Sequence, residues 1–381
     1  MNIASFTVIL AIAAGQIVKI PLGSGGATAL DITVLILCFV GLWKSKFKLI
    51  KPPAFIISAL LFVFLALLSL ILTPLPLSSS QYFSSFLYII RFSGFILLGW
   101  LIISAGLPPL KQNIESILIL SGISLAVLGL LQFILLPDLR FLAQFGWDPH
   151  YFRTSSTFLD PNFLGAFLVL TLLLLFKKQR SFLSLVVYLA LMTTFSRSSY
   201  GMFLISFLFL SFLKRSLGVA ILASFLFLFL FLAFQIQIRA VNRVLPLDRN
   251  QTASLRLSTW SQGFQIFQKS PILGVGYNSY NAALKYYKLG DDQFLQGKGA
   301  TSNDSSLLHV LATTGILGAL TFLLFLQTLI KAAYPKNPIL IAAIFGLLAH
   351  SVFVNSLFYP FILIWIILYA TNLSNGKSQQ T

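Results

Sequence analysis

Arg153, Arg197, Arg256 and Asp304 stand in the polar stretches of an otherwise almost continuously apolar chain, and Arg91 stands inside an apolar run. A guanidinium keeps its charge at any physiological pH and can grip a phosphate with two parallel hydrogen bonds. A carboxylate can take a proton from an attacking hydroxyl. Few carboxylates lie near these arginines in the sequence, so they point to an anionic guest, and a diphosphate carried on a lipid fits. Asp304, at the mouth of a helix, would supply the general base beside it. The plain alternative for Asp304 is a helix N-cap, which aspartate also does well.

The elements that must hold these residues are legible in the same stretches. Ser254 to Lys269 is predicted to be a helix, with Leu257, Trp260, Phe264 and Phe267 on one apolar stripe. Thr252 or Ser254 can cap it, and Pro271 stops it. Lying in a membrane interface, this helix would hold Trp260 at headgroup depth and aim Arg256 at lipid phosphates. A snorkelling interfacial arginine is the structural alternative. The turn Pro271-Ile272-Leu273-Gly274-Val275-Gly276 has two glycines suited to positive φ or close backbone approach. Asn303-Asp304-Ser305-Ser306 then leads through His309, read as a packing residue, into Thr313-Thr314-Gly315-Ile316-Leu317-Gly318. Upstream, Arg153 precedes Asp160-Pro161-Asn162, a helix start with proline at its first position. Ser196-Arg197-Ser198 separates two short apolar runs. Arg91 lies too deep in its run to snorkel, so it must face a polar interior or an anionic ligand.

Only 9% of the residues are charged and 57% are hydrophobic, too few charges to cover a soluble domain of 381 residues. Apolar runs fall at about 4–20, 30–43, 54–73, 82–104, 115–136, 162–176, 181–195, 199–213, 217–238, 306–330, 338–354 and 356–372. The expected fold is an all-α integral membrane protein with about twelve transmembrane helices, since a barrel would show short alternating segments instead. It forms a single polytopic membrane domain over 1–381, with one large extracytoplasmic loop at about 239–305 before span ten. The first run reads as a span, having no basic n-region or clear cleavage site. The single cysteine, Cys38, excludes an internal disulfide. The net charge of +17 is spread over short loops, which fits membrane orientation and anionic lipid, not nucleic acid. Lys44, Lys46, Lys48, Lys51, Lys111, Lys177, Lys178, Arg180, Lys214, Arg215, Lys331 and Lys336 all follow even-numbered spans. That puts them, and both termini, on the cytoplasmic side. Arg239, Arg243, Arg249 and Arg256 in the long loop then run against the positive-inside trend, which suggests a purpose other than topology.

In order and spacing these motifs resemble the O-antigen ligase and O-antigen polymerase superfamily of bacterial membrane glycosyltransferases. The resemblance lies in Arg153 with Phe158-Leu159-Asp160-Pro161-Asn162, in Ser196-Arg197-Ser198, in Arg256 with Trp260 and Pro271 to Gly276, and in Asp304 to Gly318. It covers roughly the second half of the chain. It implies a multi-pass protein of the bacterial cytoplasmic (inner) membrane that takes a glycan from an undecaprenyl-diphosphate carrier. The acceptor would be a glycan, a lipid or a protein, and no metal ion or other cofactor would be needed. Arg197 and Arg256 match arginines expected to hold the diphosphate, with Arg153 and Arg91 as further candidates. Ligases of the family typically begin the last motif with a histidine and an asparagine, and alignment on Gly315 puts Asp304 and Ser305 there. Asp304 is then the candidate catalytic base of an inverting transfer, and ligase against polymerase activity stays open. No DxD pair occurs in the chain, in keeping with metal independence.

A flippase or exporter of lipid-linked oligosaccharide would share the arginines and the span count. It would also show related halves, polar residues through several spans and discontinuous helices at mid-membrane. One intramembrane charge and one large one-sided loop favour the enzyme. A purely structural membrane protein has no use for the arginine cluster.

Overall fold

The computed structural model describes residues 2–22, 25–104, 106–242, 249–291, 294–295 and 297–376, so Arg243 lies outside the described residues. The first nine apolar runs hold α1 (Ile3–Ala14), α2 (Ala29–Lys44), α3 (Ala54–Ile71), α4 (Ser79–Ile103), α5 (Ile114–Leu135), α6 (Pro161–Lys177), α7 (Ser181–Thr194), α8 (Arg197–Lys214) and α9 (Leu217–Asn242). After α10 (Arg249–Lys269) and α11 (Tyr280–Tyr286), the last three runs hold α12 (Ser306–Ala333), α13 (Pro338–His350) and α14 (Pro360–Ala370). Five of these, α3, α4, α5, α9 and α12, are long and apolar enough to cross a membrane by length and composition. The chain is a multi-pass α-helical membrane protein.

Local sequence sets the helix starts. Thr28 and Asp31 form a capping box at α2, and Ser78 with Gln81 forms another at α4. Proline opens α6, α13 and α14, where its missing N–H costs nothing. The bundle packs α12 along α3 and α8 along α13. Phe62, Phe92, Phe322 and Phe358 form an aromatic centre, with Phe322 and Phe358 stacked at 4.9 Å.

Two regions differ from the sequence expectation. The first apolar run leaves the helix at Gly15 (φ +57°), and Lys19–Leu22 pairs antiparallel with Gly25–Thr28. Ile17, Val18 and Ile20 are β-branched and precede Pro21 and a glycine-rich turn, a composition that favours a hairpin over a continued span. The stretch 239–305, expected as a loop, carries the end of α9, all of α10 and α11. Helix α10 begins at Arg249, earlier than Ser254. Its predicted stripe lies on one outward face, with Trp260 and Phe267 half-buried. Leu257 and Phe264 are exposed, whereas Thr259, Gln262 and Ile266 are buried on the side that meets α12. Trp260 lies over Phe353 at 5.7 Å.

Helix α12 is broken at Gly315, which has φ +63° and ψ −167°, a conformation open essentially to glycine alone. The turn after α10 fills the break. The amides of Val275 and Gly276 donate to the carbonyls of Ala312 and Thr313 (3.1 and 3.0 Å). Those of Ile316 and Leu317 donate to Pro271 and Ile272 (2.8 and 3.3 Å). Ser69 Oγ adds a hydrogen bond to the Thr313 carbonyl at 2.7 Å. A Cβ on Gly315 would overlap the Ile272 carbonyl, and one on Gly274 (φ +70°) would overlap the Thr313 backbone. The two glycine motifs of the sequence are therefore two sides of one backbone crossing, which supplies partners to groups that apolar surroundings would leave unsatisfied.

Candidate functional site

The starts of α6, α8 and α12 meet at one end of the bundle. Asp160 caps α6, accepting from the amides of Asn162 (2.7 Å) and Phe163 (3.4 Å). Ser196 caps α8 and donates its hydroxyl to Asn162 Oδ1 at 2.8 Å. Ser199 Oγ donates to the Asn162 carbonyl at 3.0 Å and lies 3.3 Å from His350 Nε2 at the end of α13. The amide of Ser306 donates to the Ser351 carbonyl at 2.9 Å, which draws the mouth of α12 to the same place.

Asp304 is not the cap of α12. Ser305 is, accepting from the Leu308 amide at 3.5 Å. Asn303 Oδ1 accepts from the Ser305 amide at 2.9 Å, and its Nδ2 donates to the Thr259 carbonyl and to Tyr280 Oη. With the backbone fastened on both sides, the Asp304 carboxylate turns to α10 and accepts from Thr259 Oγ1 at 3.1 Å. Burial raises its pKa, against the Thr259 hydrogen bond and the Arg256 charge, which lower it; Asp148 adds to the rise.

Arg256 precedes Thr259 by one turn of α10, and its guanidinium lies 6.0 Å from the Phe353 ring centroid. Burial lowers its pKa; Asp304 and Asp160 act against that and Arg197 adds to it. Arg197, at the start of α8, lies 5.8 Å over the Phe234 ring. Neither arginine forms an ion pair within 4.0 Å among the described residues. Arg197, Arg256, Asp304 and Asp160 thus form one electrostatic group. Arg153 stands at its edge: Nε donates to the Thr194 carbonyl at 2.9 Å, and its charge acts on Asp160 and on His150. Burial followed by Arg153 lowers the His150 pKa to about 3, so that imidazole is neutral. Trp260 Nε1 and His350 Nδ1 are buried without a hydrogen-bond partner among the described residues. Unpaired polar atoms of this kind are rare except where water or a ligand completes them.

Arg91 is in different company. Its Nε and Nη2 grip Asp31 at 2.6 and 2.7 Å, Nη2 also donates to the Gly26 carbonyl at 2.8 Å, and its guanidinium lies 4.8 Å over Tyr88. Asp31, overlooked in the sequence, is the partner that its depth demanded. His350, Asn162 and Thr259 were also missed. Thr259 had a signal, since it follows Arg256 by one helical turn; His350 had none.

Residues 181–323 match a family model described as O-antigen ligase. Over these residues the chain is similar to the O-antigen ligase and polymerase superfamily. The match takes in Arg197, Arg256, Asp304 and both sides of the Gly274–Gly315 crossing, while Arg91, Arg153 and Asp160 fall before it. The match supports a glycosyltransferase-like activity on lipid-linked glycan in a membrane. The chain matches no curated protein.

Proposed function

We propose that the chain transfers a glycan from an undecaprenyl-diphosphate carrier to an acceptor hydroxyl on the extracytoplasmic face of the bacterial cytoplasmic membrane. Asp304 takes the hydroxyl proton as the oxygen attacks the anomeric carbon. The bond from that carbon to the diphosphate oxygen breaks, and its electron pair leaves on the diphosphate. Attack opposite the leaving group inverts the centre. Arg197 and Arg256 hold the diphosphate and offset its growing charge, with Arg153 at the margin. The observation that carries this reading is the position of the Asp304 carboxylate: relieved of capping by Ser305, half-buried, and beside Arg256, which like its neighbour Arg197 forms no ion pair among the described residues.

The direct test incubates purified protein with a fluorescent undecaprenyl-diphosphate oligosaccharide and an acceptor. Glycan transfer is the expected result, and an intact donor after long incubation counts against the reading. Arg256→Lys and Arg197→Lys keep the charge but lose the fork. Each should weaken donor binding by roughly tenfold, the effect of losing one charge-assisted hydrogen bond of about 1.5 kcal/mol, with the melting temperature unchanged. Parental donor affinity in both variants would remove them from the diphosphate site.

The orientation is supported by Lys177, Lys214 and Lys336, which share a cavity with Glu115 at the ends of α6 and α8 away from Asp304. Single cysteines placed at 265 and 178 should label from opposite sides of sealed vesicles, with little background from the buried Cys38. Labelling of both from the same side overturns the proposed topology. The exporter alternative draws on the break in α12, a feature of discontinuous transport helices. Here the Ala312 and Thr313 carbonyls and the Ile316 and Leu317 amides are taken by the neighbouring turn, which favours a fixed scaffold over an ion site.

A further inference from the structure

Two cavities meet at Arg91. The first, about 130 Å³, is an apolar groove between α2 and α4, lined by Val34, Leu35, Leu87, Ile90 and Phe95 among others. Leu35 is 54% exposed, so the groove opens sideways at the surface that the bundle turns to lipid. Its depth comes from Gly94: a Cβ there would meet nothing nearer than Val34 Cγ1 at 3.8 Å. The second cavity, about 200 Å³, shares Gly26, Tyr88 and Arg91 with the first but is far more polar, with Lys19, Asn278, Ser302, His309 and Asn355 in its lining. Its lining includes Phe163 and Tyr359, aromatic side chains of the kind against which a sugar can pack, stacked on each other at 4.0 Å. His309 Nδ1 and Asn355 Oδ1 in its lining are buried without a partner among the described residues.

Charge and place say what enters. Lys19 and Arg91 face the single carboxylate of Asp31, which leaves one positive charge where the apolar groove ends and the more polar chamber begins. Ser302, at the far side of the chamber, is two residues from Asp304. The charges that act on Lys19 are Arg91 and Asp31, whereas Arg256 feels Arg197, Asp160 and Asp304, so the Lys19–Arg91 group is separate from the cationic group that acts on Asp304.

We infer that the groove and chamber form a second lipid-phosphate site, which holds the acceptor. The hydrocarbon chain lies between α2 and α4 over Gly94, the phosphate meets Lys19 beside the Arg91–Asp31 pair, and the glycan head passes Phe163 and Tyr359 toward Ser302. Assignment of the occupant as acceptor rests on the transferase reading above; the site itself does not.

The test has two arms. In the first, a photoreactive polyprenyl phosphate without glycan is crosslinked to purified protein in nanodiscs, and the labelled peptides are identified. Labelling of α2 and α4 is expected, about tenfold less in Gly94→Leu and severalfold less in Lys19→Gln, and retained in Gly94→Ala, for which there is room. Displacement by an equal excess of phosphatidylglycerol would mark an ordinary phospholipid position and overturn the inference, as would undiminished labelling in both Gly94→Leu and Lys19→Gln. Lys19→Gln, on the surface hairpin, keeps this arm decisive should Gly94→Leu fail to fold. In the second arm, transfer is measured against lipid-phosphate-linked acceptor and donor in turn. Both variants should raise the acceptor KM about tenfold and leave the donor KM and kcat within twofold. A raised donor KM with an unchanged acceptor KM overturns the assignment. If the parent transfers nothing, the function reading fails while the labelling arm still decides whether the lipid site exists.

Discussion

Asp304→Asn should fold as the parent does and transfer glycan roughly 10²–10⁴-fold more slowly, the span that a positioned general base contributes. Asparagine keeps the shape and can still accept from Thr259 Oγ1, so the local structure survives. Capping cannot account for a loss, because Ser305 caps α12. What disappears is the capacity to take a proton. The pH profile offers an independent check. Burial raises the Asp304 pKa, and only the ionised form accepts a proton, so kcat should fall as pH drops through a value above the ordinary carboxylate range. Thr259→Val removes a hydrogen bond that lowers this pKa, and its acid limb should move further up. Transfer by Asp304→Asn within a few-fold of the parent, at equal donor occupancy and melting temperature, eliminates the carboxylate as base.

The second large effect is structural. Gly315→Ala places a side chain in a region of φ and ψ that costs roughly 1–3 kcal/mol for any residue but glycine. It also drives a Cβ into the Ile272 carbonyl, so the turn must retreat and the hydrogen bonds of the crossing go with it. Each lost bond removes about 0.5–1.5 kcal/mol, more where the freed groups stay buried. The expected outcome is a markedly lower melting temperature and transfer reduced along with it. Gly201→Ala is the control: a Cβ there meets nothing within 4 Å, and alanine is the better helix former. Equal stability of the two variants would show that the crossing does not hold the site.

The helices were legible because unbroken apolar runs leave the backbone no partner but itself. The start of α6 at Asp160-Pro161-Asn162 and the stop of α10 before Pro271 were legible because proline and short polar side chains act locally. What escaped depended on partners distant in sequence. Gly274 and Gly315 each looked permissive, yet their meaning lies in the contact between them. Asp31 and Arg91 are 60 residues apart, and only the packing of α2 on α4 makes them a pair. Ser305 took the cap from Asp304 by a shift of one position, which sequence cannot decide when Asp and Ser are both good caps. His350 reached the site from the end of a wholly apolar helix.

The break in α12 also has a mechanical meaning. By handing its backbone bonds to the 271–276 turn, the segment 306–314 is geared to α10 at least as firmly as to the remainder of its own helix. Arg256 and Asp304 therefore ride on one lever. Any displacement of α10 would then carry both groups together and leave the distance between them unchanged.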